Sequence, residues 1–217
     1  IHCDFVGKGQ KYTPFSTLSD KKVVDNSITF KAASKTFSLA GLKCAWFFAT
    51  DPEVFKQVQF WNRSEVSTLG IVSSEAAYAG GESWMQQCVD YIDGNQAFAN
   101  DYIKKNIPLI KVGNKPEGTY LAWLDVSPLA DKIGAKKLAD AENQKKQPNN
   151  PLTGKPNVVS SDDMVGHWFA KNAYVQMNPG LSYGLGGLNH MRMNVATSRK
   201  TLTAALDSIA AATKKLA

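Results

Sequence analysis

Lys35 is the residue of this chain best placed to act as a nucleophile or a base. The preceding run Ser27–Phe30 is rich in β-branched and aromatic side chains and predicts a short strand. Lys35 then lies in a loop of small residues, Ala32–Gly41. Such neighbours favour a lysine held in a cleft, where desolvation lowers its basicity and makes the amine reactive. A solvated surface lysine is the common alternative, and spacing alone leaves both interpretations open.

Three further elements are predicted after this loop. The apolar run Cys44–Phe48 predicts a buried strand. Asp51 and Pro52 are typical of the cap and the first position of a helix. Residues 83–105 predict a long helix with Pro108 just beyond its end. Its buried stripe is predicted to consist of Trp84, Cys88, Tyr91, Phe98 and Tyr102.

Strands and helices also alternate in the second half of the chain, which predicts an α/β organisation with a boundary near residue 105. The polar segment 142–163 contains three prolines and is predicted to be a mobile excursion. The other predicted elements are strands at 109–112, 119–125, 174–176 and 190–195, a turn at 178–180, and helices at 128–140, at 164–172 and from a cap at Ser198.

Four blocks of sequence, in the right order, resemble the fold-type-I pyridoxal-phosphate enzymes of the class I/II aminotransferase superfamily. Residues 34–42, Ser-Lys-Thr-Phe-Ser-Leu-Ala-Gly-Leu, resemble the Schiff-base lysine motif of that family. The outer blocks are residues 1–5, 117–125 and 178–199. Ile-His-Cys-Asp at the start and Glu-Gly-Thr-Tyr-Leu-Ala-Trp in the third block resemble the MalY/PatB-type cystathionine β-lyases, also called C–S lyases.

The resemblance implies a fold and a set of site residues. Residues 1–105 would be the C-terminal part of the large cofactor-binding domain, ending in a long interdomain helix, and residues 106–217 the small α+β C-terminal domain. Lys35 would be the catalytic lysine, bound to pyridoxal 5'-phosphate as a Schiff base and acting as general base at the substrate Cα. No metal is expected at this site.

The resemblance also implies roles for four more residues. Ser34 and Lys43 would bind the cofactor phosphate, and His2 would lie near the cofactor's phenolic oxygen. Arg192 would bind the α-carboxylate of the amino-acid substrate, because a guanidinium matches two carboxylate oxygens. A packing histidine and a structural salt bridge are the alternatives for His2 and Arg192.

The implied activity is β-elimination on cystathionine, cysteine or a cysteine S-conjugate, which gives pyruvate, ammonia and a thiol. An aminotransferase would use the same residues and differ in where the carbanion is reprotonated. A non-catalytic regulatory domain with the same fold is the second alternative, although the presence of both Lys35 and Arg192 favours an enzyme.

The family's acid for the pyridine nitrogen would stand three positions before His2, outside this sequence. We therefore expect an incomplete chain that is inactive alone. It would pair with a missing N-terminal half, or form a homodimer as family members usually do. Ala32 also stands where relatives often have a serine for the phosphate.

Amino-acid composition and charge argue against several other classes of protein. The net charge is +6, but the lysines are scattered without interleaved aromatics, which argues against a nucleic-acid partner. Their densest cluster is predicted to be solvated and comprises Lys136, Lys137, Lys145, Lys146 and Lys155. Three distant cysteines favour reduced thiols and a cytoplasmic protein. No apolar run is long enough to span a membrane.

Overall fold

The computed structural model describes residues 1–145, 148–152 and 154–216, which divide into two compact units. Unit 1 contains Ile1–Tyr91 and Glu117–Thr119. Unit 2 contains Ile92–Pro116 and the described residues from Tyr120 onward. The division falls inside the long helix, and the domain boundary near residue 105 stays a prediction.

Unit 1 contains a two-stranded antiparallel sheet and several helices. Phe30 on the first strand lies opposite Phe47 on the second. The elements are α1 (Lys21–Asp25), β1 (Thr29–Lys31), β2 (Trp46–Phe48), α2 (Pro52–Trp61), α3 (Thr68–Gly80) and the first part of α4 (Glu82–Asn106), with 3₁₀ turns at Phe15–Thr17 and Ala40–Leu42.

The predicted start of α2 is confirmed, because Asp51 Oδ1 accepts hydrogen bonds from the backbone N–H groups of Glu53 and Val54 at 2.7 and 3.1 Å. The expectation that β2 is buried is wrong. Trp46 and Phe48 are 38% and 36% exposed, since in this short sheet they lie on the uncovered face. Sequence periodicity also missed α3, whose small residues and glycines give little helical signal.

Unit 2 is built on a four-stranded antiparallel sheet in the order β3-β4-β6-β5. Its hydrophobic core contains Leu124, Phe169 and Met191, all within 1% of complete burial. Its elements are the rest of α4, then β3 (Lys111–Val112), β4 (Leu121–Asp125), α5 (Ser127–Ile133), α6 (Ala135–Asn143), α7 (Ser161–Ala173), β5 (Asn178–Pro179), β6 (His190–Asn194) and α8 (Arg199–Lys214), with 3₁₀ turns at Gly180–Tyr183 and Leu185–Gly187.

Three predictions for unit 2 are wrong in detail. The helix expected over 128–140 is two helices, because Gly134 adopts a left-handed conformation at φ 65° and ends α5. No strand forms at 174–176, since Tyr174 has φ 55° and closes α7. The chain instead pairs at Asn178–Pro179, where a turn was expected.

The long helix is confirmed, but its buried stripe is not the predicted one. Trp84 and Tyr91 are each 50% exposed, and Phe98 and Tyr102 are only partly buried. The buried face of the helix consists mainly of aliphatic and amide side chains. Its buried residues are Val89, Ile92, Asn95, Gln96, Ala99 and Ile103.

The polar segment 142–163 begins at the end of α6 and ends in the first turn of α7, and its mobility stays a prediction. Gly154 N–H donates to the Asn150 carbonyl at 2.8 Å, and Asn149 bridges Pro156. The Asn143 side chain, at the end of α6, bonds both backbone groups of Val159 at 2.8 Å. Lys146, from the predicted lysine cluster, lies outside the described residues.

Candidate active site

Lys35 lies in a tightly anchored loop of unit 1. Phe37 N–H donates to the Ala33 carbonyl at 2.9 Å, which closes a turn around Lys35. Ala33 and Thr36 are each 1% exposed, whereas Lys35 itself is exposed. The described residues of this chain therefore fix the backbone of Lys35, but they do not supply the desolvation expected from its apolar neighbours.

The residues after His2 anchor this loop. Thr36 Oγ1 donates to Asp4 Oδ2 at 2.6 Å, which joins the start of the chain to the position next to Lys35. Lys31 Nζ donates to Cys3 Sγ at 2.9 Å. That hydrogen bond raises the pKa of Lys31 against the opposing effect of burial. Burial, together with the Asp4 carboxylate, raises the pKa of Tyr78 in the same cluster.

His2 links residues 1–5 to residues 117–125, two of the blocks that resemble the family. Its Nδ1 lies 2.7 Å from Thr119 Oγ1, and its ring packs edge-on against Phe5 at 6.2 Å. The backbones meet at a bridge between Val6 and Gly118. A Cβ at Gly118 would lie 2.7 Å from the Phe5 carbonyl oxygen, so this approach requires glycine.

Lys43 and Ser34, the predicted phosphate ligands, flank the same loop. Lys43 is exposed and left-handed at φ 52°, directly after a 3₁₀ turn, and Ser34 is half-buried. Helix α3 packs closely behind Lys43, because a Cβ at Gly70 would lie 2.7 Å from the Leu42 carbonyl oxygen. Lys43 also lines a cavity of about 660 Å³ together with Trp46.

Aromatic side chains pack around the C-terminal side of the lysine loop. Phe37 stacks on Trp84 with ring centroids 6.0 Å apart and meets Tyr78 edge-on at 5.2 Å. Trp46 meets Tyr78 edge-on at 5.6 Å. Trp84, predicted to lie in the core stripe of the long helix, therefore packs against the lysine loop instead.

Arg192 belongs to unit 2, where β6 places it on the sheet face opposite the core. The strand register puts it between Trp123 on β4 and Asn178 on β5. Its Nη2 lies 3.4 Å from Asn178 Oδ1, and its Cζ lies 4.5 Å from the ring centroid of Tyr183. Its Nε is buried and has no hydrogen-bond partner among the described residues.

Asp162 is a residue of this region that sequence analysis missed. Its side chain is completely buried, and its two oxygens accept the backbone N–H groups of Leu181 and Asn189 at 3.1 and 2.8 Å. It thereby holds both ends of the glycine-rich loop that precedes β6. In the sequence it falls in the polar segment 142–163, where nothing indicated this role.

Comparison with known proteins identifies the family that shares this fold and these motifs. The profile described as aminotransferase class I and II matches residues 1–209. The chain belongs to the aminotransferase class I and II family. The predicted family and the α/β fold of a fold-type-I enzyme are therefore confirmed by this match together with the solved structures that the chain resembles, while the C-terminal position of the chain and the roles of the individual site residues stay predictions.

Similar proteins within the family include several C–S lyases. The chain is 33% identical to cystathionine beta-lyase PatB of Bacillus subtilis, over 98% of this chain and 48% of PatB. It superposes on cystalysin of Treponema denticola, a structure that contains pyridoxal 5'-phosphate, with a TM-score of 0.77 and 25% identity, covering 100% of this chain and 48% of cystalysin. The C–S lyase of Staphylococcus hominis gives a TM-score of 0.74 at 27% identity, with 98% and 48% covered.

The chain spans about half the length of the curated relatives that it matches. None of the helices in the described ranges is both long and apolar enough to cross a membrane. Within the same ranges, no three His, Cys, Asp or Glu side chains come together as a metal site.

Proposed function

We propose that the protein to which this chain belongs is a pyridoxal-phosphate-dependent C–S lyase. It would convert cystathionine or another cysteine S-conjugate to pyruvate, ammonia and a thiol. The observation that carries the proposal is the lysine loop, because Lys35 stands on a fixed turn within a family member that is 33% identical to a cystathionine beta-lyase.

The donor set of unit 1 fits pyridoxal phosphate. A primary amine is the group that condenses with an aldehyde, and the exposed amine of Lys35 supplies it. The Ser34 hydroxyl and the Lys43 ammonium are suitable donors for a phosphate, and Lys43 binds as a point charge because it lacks the fork of an arginine. His2 would lie beside the phenolic oxygen, held in place through Thr119.

Pyridoxal phosphate, when bound, supplies an electron sink for the carbanion at the substrate Cα. Lys35 Nζ would hold the cofactor aldehyde covalently. Once the substrate amine has displaced it, Lys35 Nζ would remove the proton from Cα. Arg192 would orient the substrate through its α-carboxylate, because its guanidinium matches two carboxylate oxygens.

We also propose that activity needs further polypeptide. By the resemblance, the acid for the pyridine nitrogen would precede the position of His2, and the chain spans about half the length of the relatives that it matches. The complete protein would supply this acid and act as a homodimer on a small amino-acid substrate.

An aminotransferase is the second and less supported candidate, because the matched family is described as aminotransferase class I and II, whereas the similar proteins include cystathionine beta-lyases and a C–S lyase. Both reactions begin with proton removal at Cα and use the same side chains. They differ in the co-substrate, since transamination requires a keto acid whereas β-elimination does not.

The deciding experiment gives the full-length protein cystathionine in the absence of any keto acid. We expect release of pyruvate and thiol, abolished in Lys35→Ala and lowered by at least about a hundredfold in Lys35→Arg, whose guanidinium cannot condense with the aldehyde. Borohydride reduction followed by peptide mapping should place the cofactor on Lys35. Turnover that depends on an added keto acid would support the aminotransferase, and a label on another lysine would contradict the assignment of Lys35.

A further inference from the structure

We infer that Tyr183 is a positioning residue, which fixes the guanidinium of Arg192 for the substrate carboxylate, with Asn178 as a weaker second support. The inference rests on the proposed function, since it takes Arg192 as the carboxylate ligand. In the sequence, residues 178–199 resemble the family through their glycines and Arg192. That resemblance gave Tyr183 and Asn178 no role beyond shaping the loop.

The contact with the ring is the stronger of the two. The Cζ of Arg192 lies 4.5 Å from the Tyr183 ring centroid, well inside the distance at which a cation is attracted by an aromatic face. The hydrogen bond from Nη2 to Asn178 Oδ1 is long, at 3.4 Å. Neither partner is an anion, so both orient the guanidinium without neutralising the charge that a carboxylate would need.

The Tyr183 ring is itself held in place. Trp123, the cross-strand neighbour of Arg192, meets it edge-on at 6.0 Å. The loop that carries Tyr183 is tied at both ends by the buried Asp162 carboxylate. It also crosses itself at two glycines, where a Cβ on Gly187 would lie 1.9 Å from the Gly180 carbonyl oxygen. This packing leaves the loop little freedom to shift.

A guanidinium that is already held in place gives a higher ligand affinity than a mobile one, because a mobile long side chain loses rotamer freedom when the ligand immobilises it. In Arg192, the ring and the amide occupy the face and one end of the guanidinium, while the buried Nε has no partner in the described part of the chain. The N–H of Nε is therefore left unsatisfied by the described residues.

The test measures binding of L-alanine and of L-alaninamide to the full-length holoenzyme by calorimetry, because the amide lacks the carboxylate. We expect Tyr183→Leu to weaken L-alanine binding about threefold to thirtyfold and to leave L-alaninamide within about twofold. Tyr183→Phe keeps the ring and should bind like the native protein. Leu185→Ala, at a 98% exposed position of the same loop, is the matched control and should change neither ligand.

Two more variants separate the possible outcomes. Asn178→Asp introduces an anion beside the guanidinium that competes with the substrate carboxylate, so it should weaken L-alanine binding more than Asn178→Ala does. In an Arg192→Ala background, the effect of Tyr183→Leu should vanish.

If the native protein does not distinguish L-alanine from its amide, the role of Arg192 in the proposed function fails. If it does and Tyr183→Leu retains the full preference, only the present inference is overturned. Should Tyr183→Leu not fold, the two Asn178 variants decide, and equal binding by both would contradict the inference.

Discussion

At the scale of single residues, buried polar side chains hold the backbone segments that carry the proposed site residues. Lys35 gains its position from the hydrogen bond between the buried Thr36 hydroxyl and Asp4. Asp162 does the same for the loop before β6, with both carboxylate oxygens bonded to backbone N–H groups. Such buried polar bonds specify one conformation, since breaking them leaves a desolvated group without a partner.

The Thr36 bond gives a stability prediction. Thr36→Val keeps the shape of the side chain but leaves Asp4 Oδ2 without this donor, so we expect the free energy of unfolding to fall by about 1–3 kcal/mol. Thr36→Ser keeps the hydroxyl and should lose less. Urea denaturation of the full-length protein measures both variants, and a valine variant as stable as the serine variant would contradict this role for the bond.

At the scale of elements, helix α4 shows how packing selects among possible faces. Its aromatic residues recur at helical spacing, yet the face that is buried carries Ile92, Ala99 and Ile103. Part of the aromatic face makes specific contacts instead. Arg199 Cζ lies 4.3 Å from the Phe98 ring centroid, and the Tyr102 hydroxyl donates to an Asp207 carboxylate oxygen, so both join α4 to α8 within unit 2.

The Tyr102 bond predicts a dependence on pH. The hydrogen bond to Asp207, helped by burial, raises the pKa of Tyr102 from 10.0 to about 12. Because the folded pKa is the higher one, this bond stabilises the fold fully below about pH 10, and its contribution is lost as the pH rises toward about 12. Native protein should therefore lose more unfolding free energy than Tyr102→Phe between pH 9 and pH 11. Parallel urea titrations at the two pH values check this, and equal losses would contradict it.

At the scale of the whole molecule, the two units differ in how much apolar surface they bury. The hydrophobic core described above lies in unit 2. In unit 1, α2 buries no residue and α3 buries only Gly70 and Ser74. Large apolar side chains of these helices are exposed instead, among them Trp61 at 76% and Leu69 at 70%. Exposed apolar surface on this scale supports the proposal that further polypeptide covers this face.

This surface predicts a difference between the 217-residue chain and the full-length protein. The chain alone should bind a hydrophobic dye such as ANS strongly, and the full-length protein should bind much less. Trp61→Ser with Leu69→Ser should reduce dye binding by the chain alone. Leu152→Ser, at a 93% exposed position of unit 2, is the control and should leave it nearly unchanged. Equal dye fluorescence from the chain and the full-length protein would count against the proposal that further polypeptide covers unit 1.

The sequence by itself determined the family and the fold class, because both depend on residues close together in the chain: the nine-residue lysine motif, the Asp51 cap, the glycine-rich closing block. Only the tertiary structure decided that His2 meets Thr119, that Thr36 bonds Asp4, and that Tyr183 lies under Arg192. His2 and Thr119 are 117 positions apart, and no local pattern encodes such a pair. The tertiary structure also decided which face of α4 is buried. Two faces of that helix are apolar enough to be buried, and packing against the rest of the core selects one.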